Sequence, residues 1–190
     1  IVLGKANPNR MNGVNKVVFD LASTQNKLGF DVEVWGVTKQ IDDEVSDKIK
    51  FKLKLFKTPR FYFQLPVDFV NSVQQVPVDT VFHLHGGFIP YYIKITKFLK
   101  EKGLKYVVMP HGNYNKVAMK KNKLIKTIYF KLFENSILKN ASGVHLIGIS
   151  EKEAIDPEGK KYKMIFIPNG WTISDNKLAI KRINNKIKIG

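Results

Sequence analysis

Cysteine is absent from this chain of 190 residues. That excludes a disulfide frame, a thiolate metal site and a cysteine nucleophile, and leaves a reducing compartment compatible. Long apolar runs are absent as well. None approaches the roughly 20 residues that span a membrane, and no secretory leader is visible. Acidic residues are scarce, with 16 Asp+Glu against 32 Lys+Arg, a net charge of +16. An excess of that size speaks of partners rather than fold, and nucleic acid, an anionic membrane and phosphorylated substrates all qualify. Several chemical signatures are also missing. Gly4 and Gly13 stand too far apart for the dinucleotide-binding glycine fingerprint, and no glycine lies between them. No phosphate-binding Walker loop, nucleophile elbow or zinc-protease histidine pair is present.

What is there belongs to a globular protein. Apolar residues make up 44% and aromatics 12% of the chain, enough to exclude a disordered one. Ile1-Val2-Leu3 opens directly as a strand without an initiator methionine, so a trimmed front is expected. A polar loop follows from Lys5 to Asn12, and Gly13 precedes a helical pattern. Val14, Val17, Val18, Leu21, Ala22 and Leu28 recur on one helix face, and Gly29 ends it. A strand from Phe30 to Val37 completes a βαβ unit, which requires a parallel pairing with a right-handed crossover.

Beyond an acidic turn at Asp42–Asp47, Ile49, Phe51, Leu53 and Leu55 alternate with lysines, the period of an edge strand buried on one face. A short helix over Val67–Gln75 enters through Pro66. Asp79–His85 is a strand running into Gly86-Gly87, Ile89–Lys102 a helix closed by Gly103, and Tyr106–Met109 a strand stopped by Pro110. A long helix is expected from about Lys123 to Asn140, then a strand over Val144–Ile149. Ser150-Glu151 is expected to cap a brief helix, and a strand over Met164–Ile167 ends at Pro168-Asn169-Gly170. The alternation predicts a doubly wound, mainly parallel α/β domain over residues 1–170. Residues 171–190 read as a linker and the first strand of a further domain.

Three features could carry chemistry. In an open parallel sheet, ligands bind beyond the carboxyl ends of the strands, and His111 stands at such an end; a core histidine satisfied by backbone is the plain alternative. Gly13, at a helix start, allows an anion to approach backbone amides. His83 and His85, two apart on a strand, face the same way, but no carboxylate of suitable spacing completes a metal site. Charge supplies a fourth feature. From Lys94 to Lys131 eleven lysines face one acid, Glu101, net +10. On the long helix Leu124, Ile125, Ile128, Tyr129, Leu132 and Phe133 fill one half of the circumference. Lys120, Lys123, Lys126 and Lys131 fill the other, with Phe130 and Ile137 in or beside the basic arc. Lysines with an interposed phenylalanine suit a membrane surface. The basic arc is therefore the expected membrane contact, with plain solvation or packing on a further domain as alternatives.

Several short motifs, in this order, resemble the N-terminal half of family-4 (group 1) glycosyltransferases of the GT-B architecture. They are Asn12-Gly13-Val14 with Val17–Ala22, Leu28–Val34, Phe82-His83-Leu84-His85-Gly86, Met109-Pro110-His111-Gly112, Ile149–Glu153 and Ile167-Pro168-Asn169-Gly170. The resemblance covers about residues 1–170. It implies two Rossmann-like domains facing a cleft, the N-terminal one holding the acceptor and the other a nucleotide-sugar. It further implies usually retaining transfer, without a metal or other cofactor. By position, Gly13 would approach the donor diphosphate, with Asn12 beside it where the family often has a second glycine. His111, the implied catalytic residue, would lie beside the transferred sugar with Gly112. His85 and Gly86 would line the acceptor side, Ser150 and Glu151 would complete the substrate contacts, and Asn169 and Gly170 would sit near the crossing to the second domain. The residues that grip the donor belong to that second domain, so this stretch alone should not catalyse transfer.

The function expected is transfer of a sugar from a nucleotide-sugar to a saccharide or polyprenyl-linked acceptor, in cell-surface polysaccharide or lipopolysaccharide assembly. The place expected is the cytoplasm, peripheral at the inner face of the cell membrane. A non-catalytic module holding a glycan or lipid phosphate is the alternative. Nucleic acid is not an expected partner, because no recognised motif for it accompanies the basic residues.

Overall fold

A computed structural model describes residues 2–4, 13–38, 49, 51–61 and 64–170. Among the described residues, fifteen helical and strand elements follow in the order β1 (Val2–Gly4), α1 (Gly13–Lys27), β2 (Glu33–Thr38), β3 (Lys52–Lys57), α2 (Val67–Gln74), β4 (Val81–His85), α3 (Tyr91–Glu101), β5 (Lys105–Met109), α4 (Lys116–Lys120), α5 (Lys123–Tyr129), a π-helical turn (Phe130–Glu134), α6 (Asn135–Asn140), β6 (Gly143–Leu146), α7 (Ile149–Ile155) and β7 (Met164–Phe166). The seven strands form one sheet, β3-β2-β1-β4-β5-β6-β7, in which every pairing is parallel. Strand order reverses direction between β1 and β4, the topological switch point where open α/β sheets place their ligands.

The expected βαβ unit is present. Gly29, at φ +86°, ends α1 in the left-handed conformation that glycine adopts without cost, and Phe30 N–H closes back on the Gln25 carbonyl at 3.1 Å. The alternating lysines do mark an edge strand, but β3 lies further along the chain than the reading from Ile49, ending at Lys57. The loop Lys5–Asn12, the acidic turn Asp42–Asp47 and the tail 171–190 lie outside the described residues.

Strand parity divides the core in two. On one face Trp35, Phe82, Leu84, Tyr106, Val108, Val144 and Leu146 pack with Phe69 and Val73 of α2, Tyr92, Ile95 and Leu99 of α3, and Ile137 and Leu138 of α6. Trp35 is fully buried, edge-on to Phe69 at 5.6 Å and to Phe82 at 6.0 Å. On the other face Val18, Phe19 and Ala22 of α1 cover Val34 and Phe51. Burial of the first face explains why β4, β5 and β6 alternate apolar residues with His83, His85, Val107 and His145. Those residues point to the α1 side, where an open groove of about 780 Å³ runs past Val18, Val107, His83 and His145. That groove contains neither His85 nor His111.

Candidate functional site: a histidine run at the switch point

Two loops shape the carboxyl end of the sheet. The loop after β4 begins with Gly86 at φ +102°, and Gly86 N–H donates to the Met109 carbonyl at 2.8 Å. A Cβ on Gly86 would meet Ile89 Cδ1 at 2.9 Å, so both conformation and space call for glycine. The loop after β5 turns at Pro110–Asn113, where Asn113 N–H donates to the Pro110 carbonyl at 3.2 Å. Its two central residues, His111 and Gly112, have φ of +55° and +79°. A turn with positive φ at both central positions is easy for Gly112 and costs His111 some strain. That strain has a result: the turn folds the imidazole back towards β4.

There the ring meets a second one. His85 Nδ1 and His111 Nε2 share a hydrogen bond of 2.7 Å. His85 is buried, 1% exposed, while His111 is half-buried at the lip. His83 lies against His85 with ring centroids 4.3 Å apart, and His145 stacks on His83 at 5.4 Å. His145 Nδ1 approaches His83 Nε2 at 3.4 Å, and His145 Nε2 bonds the Ile167 carbonyl at 2.8 Å. All four histidines of the chain thus form one run across β4, β5 and β6. Burial disfavours the imidazolium, and neighbouring histidines add to the effect. His111 is pushed down to about 4 and His83 to about 3, and His85 lies well below its ordinary value. His83, His85 and His111 are therefore neutral at physiological pH. Among the described residues, no group of three or more His, Cys, Asp or Glu is arranged to hold a metal ion.

Glu151 sets the other side of the His111 turn. Its buried carboxylate accepts from Gly112 N–H and, at 3.2 Å, from Ile147 N–H. The reading of Ser150-Glu151 as a cap is corrected here: α7 starts after Gly148 with no side-chain cap bond, and Ser150 is exposed. Both Glu151 oxygens take backbone donors, so it positions the loop from within and offers no free edge to a substrate. A second carboxylate, Glu134, fastens the same loops from the far side of the sheet. It accepts from Phe88 N–H at 2.7 Å and from the Tyr114 hydroxyl, and burial pushes its carboxyl up. Tyr92 adds a bond from its hydroxyl to the His85 carbonyl at 2.6 Å. Glu134 and His145 were not singled out from sequence. The signal for His145 was its parity on a strand next to β5; none marked Glu134.

The remaining expected site residues disperse. Gly13 opens α1 with open space around it. Asn12 lies outside the described residues. Asn169 and Gly170 are exposed beyond β7, two strands from β5, and no hydrogen bond or ring contact links them to His111 among the described residues.

The basic arc of the long helix is corrected more sharply. Phe130 packs inward, edge-on to Tyr114 at 5.5 Å, as a partly buried neighbour of the core. Ile137 is buried too, and Lys126 donates to the Ala118 carbonyl at 2.7 Å beneath the Phe88 ring. Lys120, Lys123 and Lys131 remain exposed. The surface beside them is apolar: Leu124 is 74%, Ile125 70%, Ile128 50% and Leu132 64% exposed, with Val117 of α4 at 76%. The helix is turned round relative to its wheel, because Glu134 and Phe130 on the opposite side anchor to Tyr114. Among the described residues, no helix is long and apolar enough to cross a membrane.

A comparison with curated proteins gives no match. The family comparison does, and it takes in β2 to β7, the histidine run and both anchoring carboxylates: residues 11–174 match the model of Glycosyltransferase Family 4, and the chain belongs to that family.

Proposed function

We propose that this chain is the acceptor-side domain of a retaining transferase that moves a sugar from a nucleotide-sugar onto a saccharide or lipid-linked saccharide. The step belongs to cell-surface polysaccharide or lipopolysaccharide assembly at the inner membrane face. The observation that carries it is the position of His111, held by His85 on one side and through Gly112 by Glu151 on the other, with its remaining edge at the lip of the switch point. A neutral imidazole there can hydrogen-bond a sugar hydroxyl at the reacting centre. In this reading Gly13, the first residue of α1, approaches the donor diphosphate through its backbone amide. A screen of nucleotide-sugars and saccharide acceptors with the full-length polypeptide tests it; hydrolysis or transfer with no donor in the set counts against it.

The membrane part rests on the exposed apolar face rather than on Phe130. Val117, Leu124, Ile125, Ile128 and Leu132, flanked by Lys120, Lys123 and Lys131, combine apolar insertion with attraction to anionic headgroups. The protein should float with vesicles rich in anionic lipid and not with zwitterionic ones. Replacing Ile125 and Ile128 together by Asp should weaken flotation at least about 100-fold, since each exposed isoleucine that inserts is worth roughly 1.5–3 kcal/mol. Equal flotation of the double variant would remove this face from the proposal.

A further inference from the structure

We infer that His85 is a positioning residue that fixes the tautomer of His111, so that His111 presents an Nδ1–H donor to the site. The inference about the tautomer stands on geometry; its catalytic consequence rests on the transferase reading above.

His85 Nδ1 and His111 Nε2 lie 2.7 Å apart, so one donates a proton and the other accepts it. Two neutral arrangements satisfy that bond. In the first, His111 Nε2–H donates to a bare His85 Nδ1, and His85 then carries its proton on Nε2. That nitrogen is buried and has no hydrogen-bond partner among the described residues. The proton would be an orphaned buried N–H, the rarest kind of unsatisfied group in folded proteins. In the second, His85 Nδ1–H donates to a bare His111 Nε2, and the orphan is only a lone pair. The second arrangement avoids the stranded proton. It leaves His111 with its proton on Nδ1, for which the described residues provide no acceptor at the lip of the cleft.

Neutrality is part of the device. A protonated His111 would have to donate from both nitrogens, and Nε2 faces His85. Among the described residues, the charged and titratable groups around it are His85 and His83 of β4, His145 of β6, and Glu151 of α7, whose oxygens are already occupied by Gly112 and Ile147 N–H. None supplies a free carboxylate to stabilise an imidazolium. His111 is thereby set as a neutral hydrogen-bond donor to an oxygen of the sugar or acceptor, and not as a base.

Long-range ¹H–¹⁵N correlation spectra of the protein near neutral pH read the tautomers directly, because a bare ring nitrogen and a protonated one resonate far apart. The result expected is Nδ1–H and bare Nε2 for both His85 and His111. A His111 that carries its proton on Nε2, averages between tautomers or is cationic overturns the inference. In His85→Leu, with the amide spectrum retained, His111 should lose its fixed tautomer. In His85→Asn, whose amide can donate from the place of Nδ1, it should keep it. An unchanged His111 in the leucine variant shows that His85 is not the cause; if that variant does not fold, the wild-type spectrum and the asparagine variant decide. In the full-length polypeptide, His85→Leu should lower kcat about tenfold at little-changed donor KM, the scale of one net hydrogen bond, and His85→Asn should restore most of it. A kcat loss that asparagine does not restore would reduce His85 to a structural role. Failure of the wild type to transfer any sugar would count against the transferase reading while leaving the tautomer result standing.

Discussion

Glu134 and His85 are equally buried, each 1% exposed, and both sit at the carboxyl end of the sheet. Their polar atoms fare differently. Both oxygens of Glu134 take donors, Phe88 N–H from the loop after β4 and the Tyr114 hydroxyl from the loop after β5. His85 spends one nitrogen on His111, and the other has no partner among the described residues. A fully satisfied buried network rigidifies what it joins, whereas a partly satisfied one is costly and persists where it has a use. Glu134 is thus a rivet between two loops, and His85 belongs to the site those loops frame. Gly87 shows how closely the rivet is set, since a Cβ there would lie 2.8 Å from the Tyr114 ring.

The largest effect expected is therefore on the structural side of the comparison. Glu134→Leu should cost about 3–5 kcal/mol, because two buried donors lose their acceptor and Tyr114 repacks. Denaturant midpoints check this, and a variant as stable as the wild type would leave the two clusters indistinguishable. On the site side the balance should reverse. His111→Ala should lower turnover of the full-length polypeptide about 100-fold, the low end for a group acting at the reacting centre. Its stability should fall by about 1–2 kcal/mol, less than for Glu134→Leu, since His85 loses its one partner but His111 stands at the half-buried lip where water can replace it. Unchanged turnover, or unfolding without a separate kinetic effect, would take His111 out of the site.

The two clusters were not equally legible in the sequence. Strand ends announce themselves, so the positions of His85, Gly86 and His111 could be read from apolar runs stopped by proline and glycine. The parallel sheet followed from the strand–helix alternation, and the edge strand from its lysines. Glu134 gave no such sign, because a carboxylate within a helix is ordinarily a solvated residue, and its partner Tyr114 lies 20 positions away. That long-range pair also decides which way the helix faces. The wheel grouped Leu124, Ile125, Ile128 and Leu132 as one apolar half, yet burial follows Phe130, Glu134, Ile137 and Leu138 through the π-helical turn. Periodicity locates a face, but only its tertiary partners determine whether that face is covered.

Titration sharpens the comparison, because the two clusters pull stability in opposite directions. His83, His85 and His111 are depressed in the fold, so their contribution is fully present above the ordinary value of 6.5. It is lost as pH falls towards about 4 for His111 and about 3 for His83. Stability should decline on acidification across that window, and His83→Phe should make the decline shallower. Parallel acid profiles for the wild type and this variant would show that His83 is not protonated in the unfolded state alone.

Glu134 behaves the other way. Its carboxyl is raised by burial above the ordinary 4.5, so the folded state holds the proton more tightly than the unfolded chain does. Its contribution is fully present below that ordinary value and is lost as pH rises through the raised folded one. Glu134→Gln keeps the shape and the number of polar atoms, with the amide oxygen accepting from Phe88 N–H and the amide nitrogen donating to the Tyr114 oxygen. The variant should stay within about 1 kcal/mol of the wild type, the net worth of one exchanged hydrogen bond. Its stability relative to wild type should rise with pH, because only the carboxylate must be charged inside the fold at the upper end. Denaturant midpoints of the two proteins between about pH 4 and about pH 8 measure the difference. A gap that stays constant across that range would mean that Glu134 is fastened as a carboxylate throughout, with the Tyr114 hydroxyl and Phe88 N–H fully offsetting its desolvation. A gap that opens with pH identifies the rivet as a carboxyl that holds its loops most firmly when it is neutral.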